Sequence, residues 1–337
     1  MIRAVGYKKF GEIEDNVLQD IVIDSPEPDN KDLLVKVEAV SVNPIDTKLR
    51  RRSSPKNSQW RVLGFDASGT VEAVGKNVSN FKPGDEVFYA GDVSRQGTNS
   101  ELHLVDERIV GRKPEKLTFA ESAALPLTSI TAWEMLFDRL DVNKPTAKGG
   151  DIILVIGGAG GVGSIAIQLL RALTGLTIIA TASRPETIKW VQECGAHYVI
   201  DHKKSLAAQI KNLGIGPPGF VFSTNQSKNH FSNIVDLIAP QGRFGLIDDI
   251  TDVNIMPLKE KSVSIHWELM FTRPLFETPD LSEQANLLNK VAELADSGKI
   301  QSTLTENAGK ITAENLTEVH ERIEKNMIRG KIVLEGF

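Results

Sequence analysis

The sequence predicts an α/β protein, with a doubly wound parallel sheet beside a compact, mostly antiparallel β part. Three observations carry that prediction. In the stretch from Asp151 to Ser164, the all-apolar run Ile152 to Ile156 breaks into Gly158-x-Gly160-x-x-Gly163, then into helical apolar spacing up to Leu173. From about residue 126 to 263 apolar strands alternate with helices, as in sheets built from crossover units. In roughly the first 125 residues short strands are separated by turns, as in an antiparallel barrel or roll.

Leu33 to Val42 alternates like a half-buried strand, and Gly69 to Gly75 and Glu86 to Ala90 are further strands. Between the last two, Phe81-Lys-Pro-Gly-Asp85 is a turn in which proline fixes φ and glycine allows the reversal. Thr118-Phe-Ala-Glu121 has the form of a capping box opening a helix. Ile152 to Ile156 reads as a strand buried on both faces. Parallel strands are expected again at Leu176–Ala182, Tyr198–Asp201, Gly219–Ser223 and Gly242–Ile247, with Pro217-Pro218-Gly219 marking one entry. After Lys261 the chain reads as loop-rich, then as a helix near Leu281–Ser297 and a last strand from Gly330 to Leu334.

The length of 337 residues admits two domains, and 41% hydrophobic with 25% charged residues is the composition of a globular enzyme. A net charge of −5 gives no electrostatic case for nucleic acid or membrane. The one basic run, Lys48-Leu-Arg50-Arg51-Arg52, reads as a solvated loop. No apolar run approaches the roughly 20 residues that span a bilayer, and the start lacks a secretory pattern. The single cysteine, Cys194, excludes an intrachain disulfide and reads as a packed small side chain. The expected location is the cytoplasm.

Glycines after a strand and before a helix let backbone N–H groups approach a pyrophosphate, whose charge the helix N-terminus favours. A glycine-rich turn without a ligand is the alternative. An NAD site places a carboxylate at the end of the second strand, about 20 residues on. Here Ser183-Arg184 stands at that strand's end, with Lys189 about one helical turn beyond and Glu186 already in the next helix. A guanidinium suits a 2′-phosphate, so the reading is NADPH; Arg184 as a solvated helix-start residue is the alternative.

The ordered motifs Ser41-Val-Asn-Pro-Ile-Asp46, Leu63-Gly-Phe-Asp-Ala-Ser-Gly69, Phe81 to Val87, Ala123 to Trp133, the glycine loop, Cys194 to Asp201 and Arg329 to Leu334 together resemble the medium-chain dehydrogenase/reductase superfamily. Within it the chain is similar to the quinone oxidoreductase-like branch, including bacterial members called zinc-type alcohol dehydrogenase-like. The resemblance implies a doubly wound Rossmann cofactor domain over 126–265. It also implies a split, mostly antiparallel GroES-like substrate domain over 1–125 and 266–337. Further implications are a homodimer, through pairing of cofactor-domain edge strands, and a small-molecule substrate.

Zinc members of the family place their ligands where this chain has Asn43, Phe65-Asp66 and a position near Leu127. Phenylalanine and leucine cannot ligate zinc, so no metal is expected. Without that Lewis acid, the acceptors expected for NADPH are quinones and α,β-unsaturated carbonyls, whose product anion is delocalised. A zinc-dependent alcohol dehydrogenase and a non-catalytic NADPH-binding protein are the alternatives. Asn43, Asp46 and Lys48 are candidates for the polar side of the substrate site, with Asn43 donating to substrate oxygen, although Asn-Pro-x-Asp is also a good turn. Tyr89 is a candidate proton donor or a packing residue, and His266, Trp267 and Phe271 either line an acceptor pocket or fill the core. For the cofactor, the family pattern implies Thr128 at the nicotinamide and Gly160, Gly161 and Val162 at the pyrophosphate. It implies Ser183, Arg184 and Lys189 at the 2′-phosphate, Tyr198 along the adenosine, and Asn225, Phe244, Gly245, Asn326 and Lys331 as further contacts.

Overall fold

The computed structural model describes residues 1–55, 59–146 and 150–337. The chain divides into one unit of Met1–Ile130 with Phe271–Phe337 and another of Thr131–Met270. The first unit opens with β1 (Ile2–Tyr7), β2 (Gln19–Ile23), β3 (Asp32–Ser41), α1 (Pro44–Arg52), β4 (Arg61–Val62) and β5 (Ala67–Val74). It continues through β6 (Glu86–Tyr89), β7 (Leu102–Asp106), β8 (Val110–Arg112), α2 (Phe119–Ala123) and the start of α3 (Pro126–Trp133). Asn43-Pro-Ile-Asp46 is a helix start rather than a free turn. Pro44 takes the first helical position, where no N–H is needed, and the Asp46 carboxylate accepts from the Asn43 N–H at 2.8 Å. The capping box on α2 forms as its spacing predicts, with Glu121 N–H donating to Thr118 Oγ1 at 3.2 Å and Thr118 N–H to Glu121 Oε2 at 2.9 Å.

The second unit carries β9 (Ile152–Ile156), α4 (Gly161–Leu173), β10 (Thr177–Thr181), α5 (Pro185–Glu193), β11 (Tyr198–Ile200), α6 (Leu206–Leu213), β12 (Phe220–Ser223), α7 (Ser227–Leu237), β13 (Arg243–Leu246) and β14 (Ser264–Trp267). All of its pairings are parallel, in the order β11-β10-β9-β12-β13-β14. Every residue of β9 is buried, as a strand covered by helices on both faces requires. The order reverses between β9 and β12, and ligands of such sheets bind at the carboxyl ends of the strands on either side of that point. β14 is a strand where the sequence reads as loop. Its Ser-Ile-His-Trp segment lies on the sheet edge with both ends exposed and the middle pair half-buried, and it lacks the apolar run that marks the inner strands.

The chain then returns to the first unit as α8 (Thr272–Phe276), α9 (Glu283–Asp296), β15 (Leu304–Asn307), α10 (Ala313–Glu324) and β16 (Lys331–Glu335). β16 joins the main sheet beside β3, giving the order β15-β16-β3-β5-β6-β8, with β7 also on β3 and antiparallel pairing throughout except β15–β16. β2-β1-β4 forms a smaller antiparallel sheet. Among the described residues no helix is long and apolar enough to cross a membrane.

Candidate functional site

β9 delivers the chain to Gly157, whose φ of +80° L side chains rarely adopt. A Cβ there would lie 2.3 Å from Thr224 Oγ1 and 2.8 Å from Asn225 Oδ1, so the loops after β9 and β12 meet at the switch point. Thr224 fixes that junction by donating its N–H and hydroxyl to the Ile156 carbonyl, at 3.1 and 2.9 Å. Gly163 serves packing, because a Cβ would stand 2.3 Å from the Gly157 carbonyl oxygen and force α4 off β9. Gly158 is nearly as tight, with a virtual Cβ 3.0 Å from that of Ala180. Gly160 differs: its Cβ would meet only the Gly157 oxygen, at 3.6 Å. The half-buried Gly161 and Val162 start α4 behind that open side, where first-turn N–H groups have no helical acceptor and the helix end is positive. This cradle fits a pyrophosphate.

At the end of β10, Thr181 Oγ1 accepts from the Gly157 N–H at 2.9 Å and Ser183-Arg184 follows. The Arg184 guanidinium pairs with Glu186 at 3.1 Å, both half-exposed, and such pairs hold loosely. Lys189 lies a turn further along α5, 78% exposed and directed to Glu193 at 3.7 Å, away from the strand end. The carboxyl end of β11 instead brings His202, which the sequence reading missed. Burial pulls its pKa down; Asp201 opposes this, and Lys203 and Arg184 add to it, so His202 feels the charge of Arg184. Tyr198 is the first residue of the three-residue β11, in register with Ile179 in the middle of β10. Phe244 and Gly245 are corrected. Both are interior to β13, with Phe244 fully buried against Phe231 at 6.4 Å and a Cβ on Gly245 only 2.2 Å from Met135 Sδ. The group beyond the carboxyl end of β13 is Asp248, which caps α7 by accepting from Ser227 N–H at 2.8 Å and from the Ser227 hydroxyl.

In the first unit Asn43, Asp46 and Lys331 come together in a buried polar centre, around Asp66. Asp66 Oδ1 accepts from the Leu127 N–H in the first turn of α3 at 2.7 Å. Its Oδ2 accepts from Asn43 Nδ2 at 2.7 Å, Lys331 Nζ at 3.1 Å and Ser41 Oγ at 3.2 Å. Lys331 also donates to the Val42 carbonyl at 2.9 Å and to Asn43 Oδ1. Asp46 bridges the Asn43 and Gly64 N–H groups at 2.8 and 2.9 Å, and burial raises its pKa to about 7 against those donors and the Lys331 charge. Asn43 is 1% exposed with both ends of its amide engaged, so a donor role toward substrate oxygen is corrected to an internal one.

Residues 29–132 match the family model of the alcohol dehydrogenase GroES-like domain, and residues 161–278 match that of the zinc-binding dehydrogenases. A zinc-type alcohol dehydrogenase-like protein of Staphylococcus aureus is 40% identical over 336 residues, 99% of each chain. The chain belongs to the medium-chain dehydrogenase/reductase superfamily. It is an oxidoreductase of that family. The quinone oxidoreductase of Lama guanicoe is 32% identical over 270 residues, covering 78% of this chain and 79% of that one. Among solved structures, a "putative zinc-dependent alcohol dehydrogenase protein" from Rhizobium etli is 58% identical, with a TM-score of 0.98 over 100% of this chain and 98% of that one.

The remaining candidates of this dehydrogenase/reductase lie as follows. Tyr89 is fully buried, stacked on His103 with its hydroxyl 3.1 Å from Nδ1. Since His103 Nε2 donates to the Gln96 carbonyl at 2.9 Å, Nδ1 accepts the Tyr89 proton; the hydroxyl is internal, and burial raises its pKa. Thr128 is buried in α3, its hydroxyl donating to the Leu125 carbonyl at 3.1 Å. Lys48 is half-buried on α1; its neighbour Arg50 is fully buried against Glu324, and Arg51 pairs with Glu12 at 2.9 Å, so the basic run is no open patch. Asn326, with φ of +53°, ends α10, and Lys331 lies wholly inside the polar centre rather than at a surface. Phe271 packs edge-on against Phe65, with centroids 5.4 Å apart, His266 is half-buried on β14, and Trp267 is exposed beside it. Cys194 is buried, which pushes its thiol up to about 12.

Proposed function

We propose that this oxidoreductase uses NADPH, without zinc, to deliver hydride to quinones or α,β-unsaturated carbonyls. The observation that carries the reading is the glycine cradle with its open Gly160, followed at the end of β10 by Arg184 where an NAD site would carry a carboxylate. NADPH, when bound, supplies the hydride. This chain's part is to hold the pyrophosphate at the start of α4, with Asn225 beside it, and the 2′-phosphate at Ser183, Arg184 and His202. The quinone oxidoreductase relative favours acceptors of that class, whose reduction needs less activation than that of a simple carbonyl.

Arg184→Ala is expected to weaken NADPH binding about 10-fold or more, the loss of one charge-assisted contact, and to leave NADH within about twofold. Calorimetric titration with both cofactors checks this; an unchanged NADPH/NADH ratio would remove Arg184 from the 2′-phosphate site. A homodimer formed along β14 is part of the same reading, because that edge strand carries Trp267 at 55% and is followed by Leu269 at 52% exposure. Light scattering should give twice 36.9 kDa, and Trp267→Lys should shift it toward a single chain. A wild-type mass of one chain would end the dimer proposal.

A further inference from the structure

Zinc requires thiolate, imidazole or carboxylate ligands in tetrahedral array. Among the described residues no three His, Cys, Asp or Glu side chains gather in a way that could hold a metal. The buried polar centre offers two carboxylates, Asp66 and Asp46, both already engaged by N–H donors, with an amide, a hydroxyl and a backbone carbonyl. Phe65 and Leu127, at positions where zinc members carry ligands, bring no donor side chain, and it is the Leu127 N–H that binds Asp66. The donor set does not fit the metal that the relatives' names imply.

What the centre does contain is a cation of its own. Lys331 Nζ is surrounded by Val42 O, Asn43 Oδ1 and Asp66 Oδ2, so each of its three protons has an acceptor. The Lys331 side chain is 4% exposed and that of Asp66 0%. We infer that Lys331 is a built-in substitute for the metal: a fixed cation that ties β16 to the β3–α1 turn, to the Phe65-Asp66 loop and, through Asp66, to the start of α3. It also orients Asn43, because the ammonium faces Oδ1 and the carboxylate faces Nδ2, and a flipped amide would set donor against donor. A metal could enter only by displacing this ammonium. The inference is independent of which acceptor is reduced.

The test joins a metal measurement on the wild type to a double-mutant cycle. Protein expressed with added zinc and then dialysed should retain well under one zinc per chain, and chelator should leave its Tm unchanged. Lys331→Met and Asp66→Asn should each lower Tm by roughly 10 °C, the consequence of leaving one buried charge alone. The double variant should regain at least half of that loss, since neither charge remains. If a single variant fails to fold, folding of the double variant gives the same answer. Stoichiometric zinc with a chelator-sensitive Tm would overturn the inference. So would a double variant that loses the sum of the two single effects, or that fails as completely as either.

Discussion

Gly160→Ala is expected to weaken NADPH binding at least 10-fold while leaving Tm within about 2 °C, and Gly163→Ala is expected to lower Tm by roughly 5 °C. The contrast follows from what each methyl group meets. At Gly160 the backbone is extended, φ −76°, and the nearest atom to a Cβ is 3.6 Å away, so the folded chain accepts alanine. That open side is where a pyrophosphate would approach the backbone, and 10-fold is about 1.4 kcal/mol. At Gly163 the Cβ would sit 2.3 Å from one backbone atom and 2.7 Å from another, neither of which can move without shifting α4 against β9. Overpacking of this kind costs about 1–3 kcal/mol. Thermal melts and NADPH titrations of both variants separate a ligand-facing glycine from a packing glycine. Equal effects on both readouts would mean that Gly160 faces protein rather than ligand.

His320→Leu should raise stability, and the gain should grow as pH falls. His320 sits on α10, which packs on α1, and neither ring nitrogen has a hydrogen-bond partner among the described residues. Burial lowers its pKa to about 3, and the adjacent Arg50 guanidinium, itself bound to Glu324 and to the Gly11 carbonyl at 2.7 Å, adds to the shift. The unfolded imidazole titrates near 6.5, so the unfolded state binds a proton that the folded state refuses. Stability associated with the neutral ring is therefore present above pH 6.5 and lost as pH falls from 6.5 toward 3. Between pH 7.5 and 5 the loss amounts to about 2 kcal/mol. Leucine removes that dependence and also the orphaned nitrogens, worth about 1 kcal/mol or more at neutral pH. Calorimetric melts at pH 7.5 and 5 should show the difference in Tm between variant and wild type widening at the lower pH. A constant difference would place a solvating partner on the ring.

The second unit was legible in the sequence because its chemistry is local. Ile152–Ile156 must be buried on both faces, and the glycines that follow are required by contacts a few residues away, such as Gly163 against Gly157. Arg184 could be placed from the end of its own strand. His202 could not, since its proximity to Arg184 comes from the parallel pairing of β10 with β11, which no spacing within either strand encodes. The polar centre of the first unit was half legible. Asn43 and Asp46 are neighbours in sequence, but Lys331 reaches them across 288 residues, and its partner Asp66 stands in a separate motif of the chain. Edge strand β14, with no continuous apolar run, left no signal that distinguishes it from a loop.

The most direct measurement is NADPH oxidation by chelator-treated protein against a panel of quinones and enals, with NADH beside it and zinc content measured in the same preparation. A zinc-free NADPH reductase predicts turnover with at least one acceptor, a preference for NADPH over NADH, and no change on adding zinc. Tight NADPH binding without turnover of any acceptor would favour a binding role, and activity that returned only with zinc would contradict both the proposed chemistry and the assignment of Lys331.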